Sequence, residues 1–209
     1  QAEYPALAGA AGLLVPVRDY AGRIRGNQVR PDRKPEGGGK YLWVSSANRE
    51  GGTGSGAPLH WTLAGDPAGV LYVVEGPLKA DLVAHFTGCR ALGFPGAHPG
   101  QAHRIREELE AAQWDRSRPL VLAPDQDYRT KPNVLRAWVA IGTHLAEHGY
   151  RVEVACWPTN ASGEPKGPDD ALQAGAAFSV TSWNTWAGAE TPNVRRRGAS
   201  LVRPRPTHE

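Results

Sequence analysis

Methionine is absent from this chain, and cysteine nearly so. The 209 residues contain no methionine, two cysteines and three phenylalanines. Cys89 and Cys156 stand alone, without CxxC or Cys/His ligand spacing, which argues against a zinc site and against a disulfide framework. Because even an initiator methionine is missing and the chain opens at Gln1, we expect it to be a piece of a longer protein.

Long hydrophobic runs are missing as well. No stretch approaches the roughly 18 apolar residues of a membrane span, and the first thirty residues do not show the charged-then-apolar order of a signal peptide. With 40% hydrophobic and 22% charged residues, the composition is ordinary for a globular protein. The sequence therefore predicts one well-packed domain with a smaller appendage, no membrane partner, and a reducing, cytoplasmic setting.

The net charge of +3 hides an uneven distribution. Residues 1–60 carry eight Lys/Arg against five Asp/Glu, residues 191–209 carry five against one, and residues 61–190 carry eleven against fifteen. Basic flanks suit a polyanionic partner, and an acidic centre suits a divalent metal. The alternative is a scatter of surface charges without function, and charge alone does not decide between the two.

Two short apolar runs end abruptly in carboxylates. Residues 70–75 run Val-Leu-Tyr-Val-Val-Glu, and residues 120–127 run Leu-Val-Leu-Ala-Pro-Asp-Gln-Asp. Such runs are typical of parallel strands buried on both faces. Because ligands bind outside the carboxyl ends of the strands in open α/β sheets, we expect Glu75, Asp125 and Asp127 to form one metal-sized cluster. Carboxylates in such a cluster repel each other unless a cation lies among them, and Mg²⁺ prefers oxygen ligands.

Strand and helix patterns alternate from Val70 onwards, which predicts an α/β fold. The predicted sheet is open, with about four largely parallel strands flanked by helices. Strand-like segments before it predict a small β-rich lead-in, and after Gly175 the pattern decays. We expect three parts: the lead-in over 1–66, the α/β domain over 67–178, and a C-terminal segment with a basic tail over 179–209.

The ordered set of strand-end residues resembles the Toprim domain. The set comprises a strand followed by Glu75-Gly76 and a helix, a strand followed by Asp125-x-Asp127, and a strand followed by Lys166-Gly-Pro-Asp-Asp170. Toprim domains are shared by bacterial primases, topoisomerases, some nucleases and recombination proteins. The nearest likeness is to the Toprim-like domain of primase-like proteins of phages, plasmids and other mobile elements, over roughly residues 12–175.

This resemblance implies Mg²⁺-dependent nucleotidyl or phosphoryl transfer on nucleic acid, by the primase-like catalytic domain of a mobile-element replication protein. Mg²⁺ is the implied cofactor, with Mn²⁺ as a substitute. The implied partners are nucleic acid (foremost single-stranded DNA), nucleotides, and a helicase or other replication domain of the same or a neighbouring chain. A Toprim nuclease and a non-catalytic nucleic-acid-binding or recruitment module remain as alternatives.

The resemblance also implies roles for single residues. Glu75 would accept the proton of a 3′-hydroxyl in synthesis, and Lys79 would touch a substrate phosphate or steady Glu75. Primases often have Asp where this chain has Lys79, which is a departure from their pattern. The implied metal ligands are Asp125, Asp127, Asp169 and Asp170. For both aspartate pairs the alternative is a helix N-cap, a position at which Asp is favoured.

Basic residues of the lead-in form a candidate nucleic-acid interface. A solvated hairpin face is the alternative interpretation, and it stays open at this point. Among the seven tryptophans, Trp43 lies in a basic strand segment and suits stacking on a single strand. The candidate phosphate-contacting residues are Arg18, Arg23, Arg25, Arg30, Arg33 and Lys40.

Overall fold

The computed structural model describes residues 11–34, 36, 39–47 and 50–190, which form two sheets. The smaller sheet is antiparallel, and its strand order is β1-β2-β3. A turn joins its first two strands, in which the carbonyl of Asp19 accepts a hydrogen bond from the N–H of Gly22. This sheet confirms the predicted lead-in, and its strands are β1 (Gly12–Arg18), β2 (Ile24–Pro31) and β3 (Leu42–Trp43).

The larger sheet has six strands in the order β4-β6-β5-β7-β8-β9. The four inner strands run parallel, and the two edge strands β4 and β9 run antiparallel to their neighbours. The parallel centre confirms the predicted open α/β sheet. The strands are β4 (His60–Trp61), β5 (Asp66–Glu75), β6 (Cys89–Phe94), β7 (Leu120–Leu122), β8 (Val152–Cys156) and β9 (Ser179–Ser182).

Helices cover both faces of this sheet. Along β5, Leu71 and Val73 pack into one buried cluster with α2 and α3, whereas Tyr72 and Val74 pack into a second cluster with α1 and α4. Burial on both faces is why residues 70–74 form a continuous apolar run instead of an alternating one. The helices are α1 (Pro77–Thr87), α2 (Gln101–Ala111), α3 (Pro132–Glu147) and α4 (Pro168–Gln173), and residues 183–190 are also helical.

Two strands of the larger sheet were not predicted from the sequence. β4 has only two residues, and β9 is a short edge strand whose residues are mostly exposed, so neither has an apolar pattern. The expected domain boundaries near residues 66 and 178 stay a prediction. Strand pairs cross both of them, because β4 pairs with β6 across the first and β9 pairs with β8 across the second. None of the helices in the described ranges is long and apolar enough to cross a membrane.

Candidate functional site

Glu75 is the last residue of β5 and lies at the carboxyl edge of the parallel strands. Gly76 follows with φ +97°, a conformation that favours glycine, and α1 begins at Pro77. The Glu75 carboxylate accepts a hydrogen bond from the backbone N–H of Ala97. Burial raises its pKa above the ordinary 4.5, and the charge of Asp125 raises it further. Glu75 therefore holds a proton more readily than an exposed glutamate.

Asp125 lies at the same edge, three residues after the end of β7. It occupies the N-cap position of a short 3-10 helix (Gln126–Arg129), but its side chain makes no capping hydrogen bond. Its carboxylate instead accepts a hydrogen bond from Nζ of Lys79, in the first turn of α1. Burial raises the pKa of Asp125, and the Lys79 ammonium opposes that rise. The N-cap alternative therefore does not account for Asp125, because its carboxylate contacts Lys79 and not the helix N-terminus.

Asp127 is held by two other lysines. Its Oδ2 lies 2.8 Å from Nζ of Lys131 and 3.1 Å from Nζ of Lys166. Burial by itself would raise the pKa of Asp127, but the two ammonium groups outweigh it and lower the pKa below 3.8. The ionised form of Asp127 is therefore favoured, and its negative charge contributes to the raised pKa of Glu75.

The aspartates of α4 divide between the two roles that the sequence left open. Asp170 accepts a hydrogen bond from the backbone N–H of Gly167 at 3.4 Å, which is a helix-capping contact. Asp169 turns the other way, and its Oδ1 lies 3.8 Å from Nζ of Lys79. This oxygen is buried and has no hydrogen-bond partner among the described residues. The cap interpretation thus fits Asp170, whereas Asp169 belongs with Lys79 and Asp125.

A cavity of about 640 Å³ opens at this edge, between the large sheet and the small one. The small sheet and the residues just before β3 contribute cations, an amide and two aromatic rings to its lining. The carboxylates and lysines come from the carboxyl edge of the large sheet, from α1, and from α4 with the loop before it. Asp127 lies outside this lining. The polar and aromatic lining residues are Gln28, Arg30, Lys40, Tyr41, Trp43, Glu75, Lys79, Asp125, Lys166, Asp169, Asp170 and Gln173.

Only two of the six basic candidates line the cavity. Arg30 of β2 and Lys40 before β3 do so, and both are exposed. Arg25 belongs to the same strand as Arg30, but it lies where β2 shifts register against β1, since Val17 pairs with Gly26 and Arg18 with Ile24. It lines a separate cavity of about 410 Å³. Strand geometry separates these two arginines, although they look equivalent in the sequence.

The remaining three basic candidates do not line this cavity. The guanidinium of Arg18 donates a hydrogen bond to the carbonyl of Gly22 at 3.1 Å. Arg23 forms an ion pair with Asp19 at 2.9 Å and lines the smaller cavity. Arg33 is exposed beyond the end of β2. For Arg18 and Arg23 the hairpin interpretation fits better, because their charged groups hold the β1–β2 turn.

Three of the polar and aromatic cavity residues were missed by the sequence analysis, namely Gln28, Tyr41 and Gln173. Gln28 lies two residues before Arg30 on β2 and so shares its face, which strand alternation could have indicated. Tyr41 lies between Lys40 and Leu42, and burial raises the pKa of its hydroxyl, with a further contribution from the charge of Asp169. The sequence carries no signal for that proximity, since 128 residues separate the two.

The expected metal-sized cluster is not present as such. Within the described ranges, no group of three or more His, Cys, Asp or Glu side chains is arranged to hold a metal ion. The physical reason is that Lys79 holds Asp125, while Lys131 and Lys166 hold Asp127. The donor type still fits a hard divalent cation, because all the candidate ligands are carboxylates and a buried oxygen of Asp169 lacks a hydrogen-bond partner.

A family model described as "Domain of unknown function (DUF3854)" matches residues 60–177, more than half of the chain. The chain belongs to this family. No curated protein matches the chain. The matched range of the DUF3854 domain runs from β4 through α4 and contains Glu75, Lys79 and the four aspartates. Arg30 and Lys40 of the small sheet lie before it.

Solved primase structures resemble this DUF3854 chain in fold. The DnaG catalytic core has a TM-score of 0.54 and 18% identity, over 92% of this chain and 63% of that one. The Aquifex aeolicus primase, with its zinc-binding and RNA polymerase domains, has a TM-score of 0.53 and 15% identity, over 91% and 45%. A DNA primase domain from Pseudomonas aeruginosa has a TM-score of 0.50 and 21% identity, over 85% and 50%. These likenesses confirm the predicted Toprim-type fold, and the chain spans between 45% and 63% of these relatives.

Proposed function

We propose that this chain is a primase-like catalytic domain that carries out nucleotidyl or phosphoryl transfer on nucleic acid, in the cytoplasmic replication of a mobile element. The observation that carries the proposal is the shared cavity, in which the cations and rings of the small sheet face the carboxylate edge of the large sheet. Binding a nucleic acid uses cations that contact its phosphates, and metal-dependent phosphoryl transfer uses carboxylates that hold the metal ion. A nucleic-acid substrate in this cavity would contact the cations and the carboxylates at the same time.

The small sheet would bind the strand. Arg30 and Lys40 are exposed cations on the cavity wall and would contact phosphates. Tyr41 and Trp43 are half-buried aromatic residues on the same wall, suited to stacking against bases or a nucleotide. Stacking tolerates any base, so single-stranded DNA and nucleotides are the proposed ligands.

Glu75 would act as the general base. A base is most effective when its pKa lies near the ambient pH, and burial shifts the pKa of Glu75 in that direction. Its position at the strand end, in the cavity lining, lets it accept the proton of a 3′-hydroxyl. Lys79 lines the same cavity and would contact a substrate phosphate.

The aspartates would hold the divalent ion. Asp125, Asp127, Asp169 and Asp170 supply carboxylate oxygens at one edge, which suit Mg²⁺ or Mn²⁺. When bound, the ion would neutralise the charge that develops on the transferred phosphoryl group. The chain's own contribution at Asp127 is to keep the carboxylate ionised, because Lys131 and Lys166 lower its pKa.

A non-catalytic nucleic-acid-binding or recruitment module is the second candidate. The observation that favours it is the set of lysine contacts, because ammonium groups already neutralise Asp125 and Asp127. In that case the cavity would bind a strand for a helicase or another replication domain without turnover.

The test combines an activity assay with a binding titration. Purified protein is incubated with single-stranded DNA, nucleoside triphosphates and Mg²⁺ or Mn²⁺, and both primer synthesis and strand cleavage are measured. Glu75→Gln should lower the rate by about 10²–10⁴-fold, the usual contribution of a general base. Its affinity for DNA should barely change, because Glu75 is not a phosphate-contacting cation.

Charge reversal separates binding from chemistry. Arg30→Glu and Lys40→Glu should weaken DNA binding and reduce its salt dependence, by about 0.7 in the slope of log K against log salt for each phosphate that is no longer neutralised. Arg25→Glu is the matched control, since it makes the same change on the same strand but in the lining of the separate, smaller cavity. Activity that survives Glu75→Gln intact would overturn the mechanism. Cleavage without synthesis would favour the nuclease, and binding without either activity would favour the recruitment module.

A further inference from the structure

Lys79 holds an unusual position for a lysine in a proposed metal site. Its side chain is 15% exposed, and it lies between aspartates from two different elements. Nζ donates a hydrogen bond to Asp125, which follows β7, and lies 3.8 Å from Oδ1 of Asp169, in the first turn of α4. The side chains of these aspartates are 17% and 21% exposed. The ammonium therefore occupies the space between two largely buried carboxylates.

The packing around this ammonium depends on Gly167. A Cβ at this position would collide with Oδ1 of Asp169 and would lie 3.2 Å from Nζ of Lys79. The φ of Gly167 is −93°, which any residue can adopt, so backbone conformation does not require glycine here. What glycine provides is room for the Asp169 carboxylate to face Lys79.

We infer that Lys79 is a resident cation of this site: its ammonium takes the place between Asp125 and Asp169 that a divalent ion would otherwise occupy, and so weakens metal binding by the free protein. A divalent ion must displace Lys79 from Asp125 or bind against its repulsion. The inference rests on the proposed metal-dependent function, but it concerns metal binding alone and can be measured without substrate.

The other two lysines at this edge, Lys131 and Lys166, should weaken metal binding less than Lys79 does. Lys131 and Lys166 contact Asp127 with side chains that are 55% and 44% exposed, so water screens their charges. Lys79 is far less exposed, so water screens its charge less from the carboxylates beside it. Removing its charge should therefore have the largest effect on metal affinity.

The test is a Mn²⁺ titration followed by electron paramagnetic resonance of the free ion. A neighbouring charge within about 4–6 Å changes a carboxylate's affinity for a proton by roughly one to three powers of ten. By the same electrostatics, Lys79→Met should bind Mn²⁺ at least about tenfold more tightly than the parent. Mn²⁺ should also raise the melting temperature of Lys79→Met more than that of the parent.

Three further variants complete the test. Lys34→Met is the matched control, because Lys34 is exposed and outside the cavity lining, and its Mn²⁺ affinity should equal that of the parent. Adding Asp125→Asn to Lys79→Met should remove the gain. Lys79→Arg keeps the charge and should bind Mn²⁺ as weakly as the parent, which provides a test even if Lys79→Met does not fold.

Two results would overturn the inference. One is a folded Lys79→Met that binds Mn²⁺ no more tightly than the parent, and the other is a Lys79→Arg that binds it as tightly as expected for Lys79→Met. Neither result depends on catalysis. A failure of the proposed transferase would show instead as the absence of products in the activity assay, whatever the Mn²⁺ affinity.

Discussion

Three carboxylates at one sheet edge differ in the direction of their pKa shifts, because they differ in burial and in the number of lysines that contact them. Glu75 accepts a hydrogen bond from a backbone N–H, Asp125 is paired with one lysine, and Asp127 is paired with two. Burial raises the pKa of Glu75 and of Asp125, whereas the paired ammonium groups lower that of Asp127. At the residue scale this separates Asp127, whose pKa is lowered, from Glu75 and Asp125, whose pKa values are raised.

The raised pKa of Glu75 predicts a pH-dependent effect on stability. The folded state binds the Glu75 proton more tightly than the unfolded state, so this residue stabilises the fold at low pH. That contribution is lost as the pH rises from the ordinary pKa of 4.5 through the folded value. Glu75→Gln should therefore be increasingly more stable than the parent as the pH rises, by at most about 1.4 kcal/mol per pH unit.

Urea unfolding in EDTA from about pH 4 to pH 8 measures this effect. Asp127→Asn gives the opposite comparison, because the lowered pKa of Asp127 stabilises the fold above 3.8 and that contribution is lost as the pH falls through the folded value. Asp127→Asn should thus be less stable than the parent at neutral pH. Parallel pH profiles for Glu75→Gln and the parent would contradict the prediction.

At the element scale, the start of α1 is positioned by a close approach to β6. The carbonyl of Gly76 precedes the helix and lies beside Gly93 of β6. A Cβ at Gly93 would lie 2.6 Å from the Gly76 oxygen and 3.1 Å from Cβ of Ala80 in α1. Because Glu75 and Lys79 flank this point in sequence, the close approach of strand and helix also sets the geometry of the site.

Gly93→Ala should therefore destabilise the protein and displace the first turn of α1. Overpacking in a close-packed interior costs about 1–3 kcal/mol. Chemical denaturation measures the loss, and Gly188→Ala is the control. Gly188 lies in the helical residues 183–190, and a Cβ there would meet nothing within 4 Å. That control should be neutral or stabilising by about 0.5–1 kcal/mol, and an equal loss in both variants would contradict the argument.

At the scale of the whole molecule, His60 joins the small sheet to the large one. The backbone N–H of Arg18, at the end of β1, donates to Nδ1 of His60 at 3.1 Å. That nitrogen must therefore be unprotonated, so Nε2 carries the hydrogen and donates to Asp81 of α1 at 3.0 Å. The His60 side chain is 2% exposed. One buried imidazole thus connects β1, β4 and α1.

His60→Ala should weaken the attachment of the small sheet. It leaves the Arg18 N–H without its partner, which costs about 1–3 kcal/mol for a buried donor, and it opens a cavity in addition. Asp81→Asn is the control, because its amide oxygen still accepts from Nε2 and its side chain is 46% exposed. Urea unfolding should show a clear loss for His60→Ala and little for Asp81→Asn. Equal stabilities for His60→Ala and the parent would contradict this role.

The fold class, and the sheet edge at which Glu75, Asp125 and Asp127 lie, could be predicted from the pattern of apolar residues along the chain. The reason is local: a strand buried on both faces requires a continuous apolar run, and the residue that ends the run then lies at the carboxyl edge. The small strands β4 and β9 were not predictable in this way, because their identity comes from pairing with β6 and β8.

Which charged side chains meet could not be predicted from the sequence and became visible only in the folded chain. Lys79 pairs with Asp125, 46 residues away, and Arg30 shares a cavity with Glu75 whereas Arg25 does not. Such pairings depend on how elements that are distant in the chain pack against each other, and the spacing of residues does not encode that packing. The sequence therefore indicated a set of carboxylates, and the packing of α1 against the large sheet and α4 placed a lysine among them.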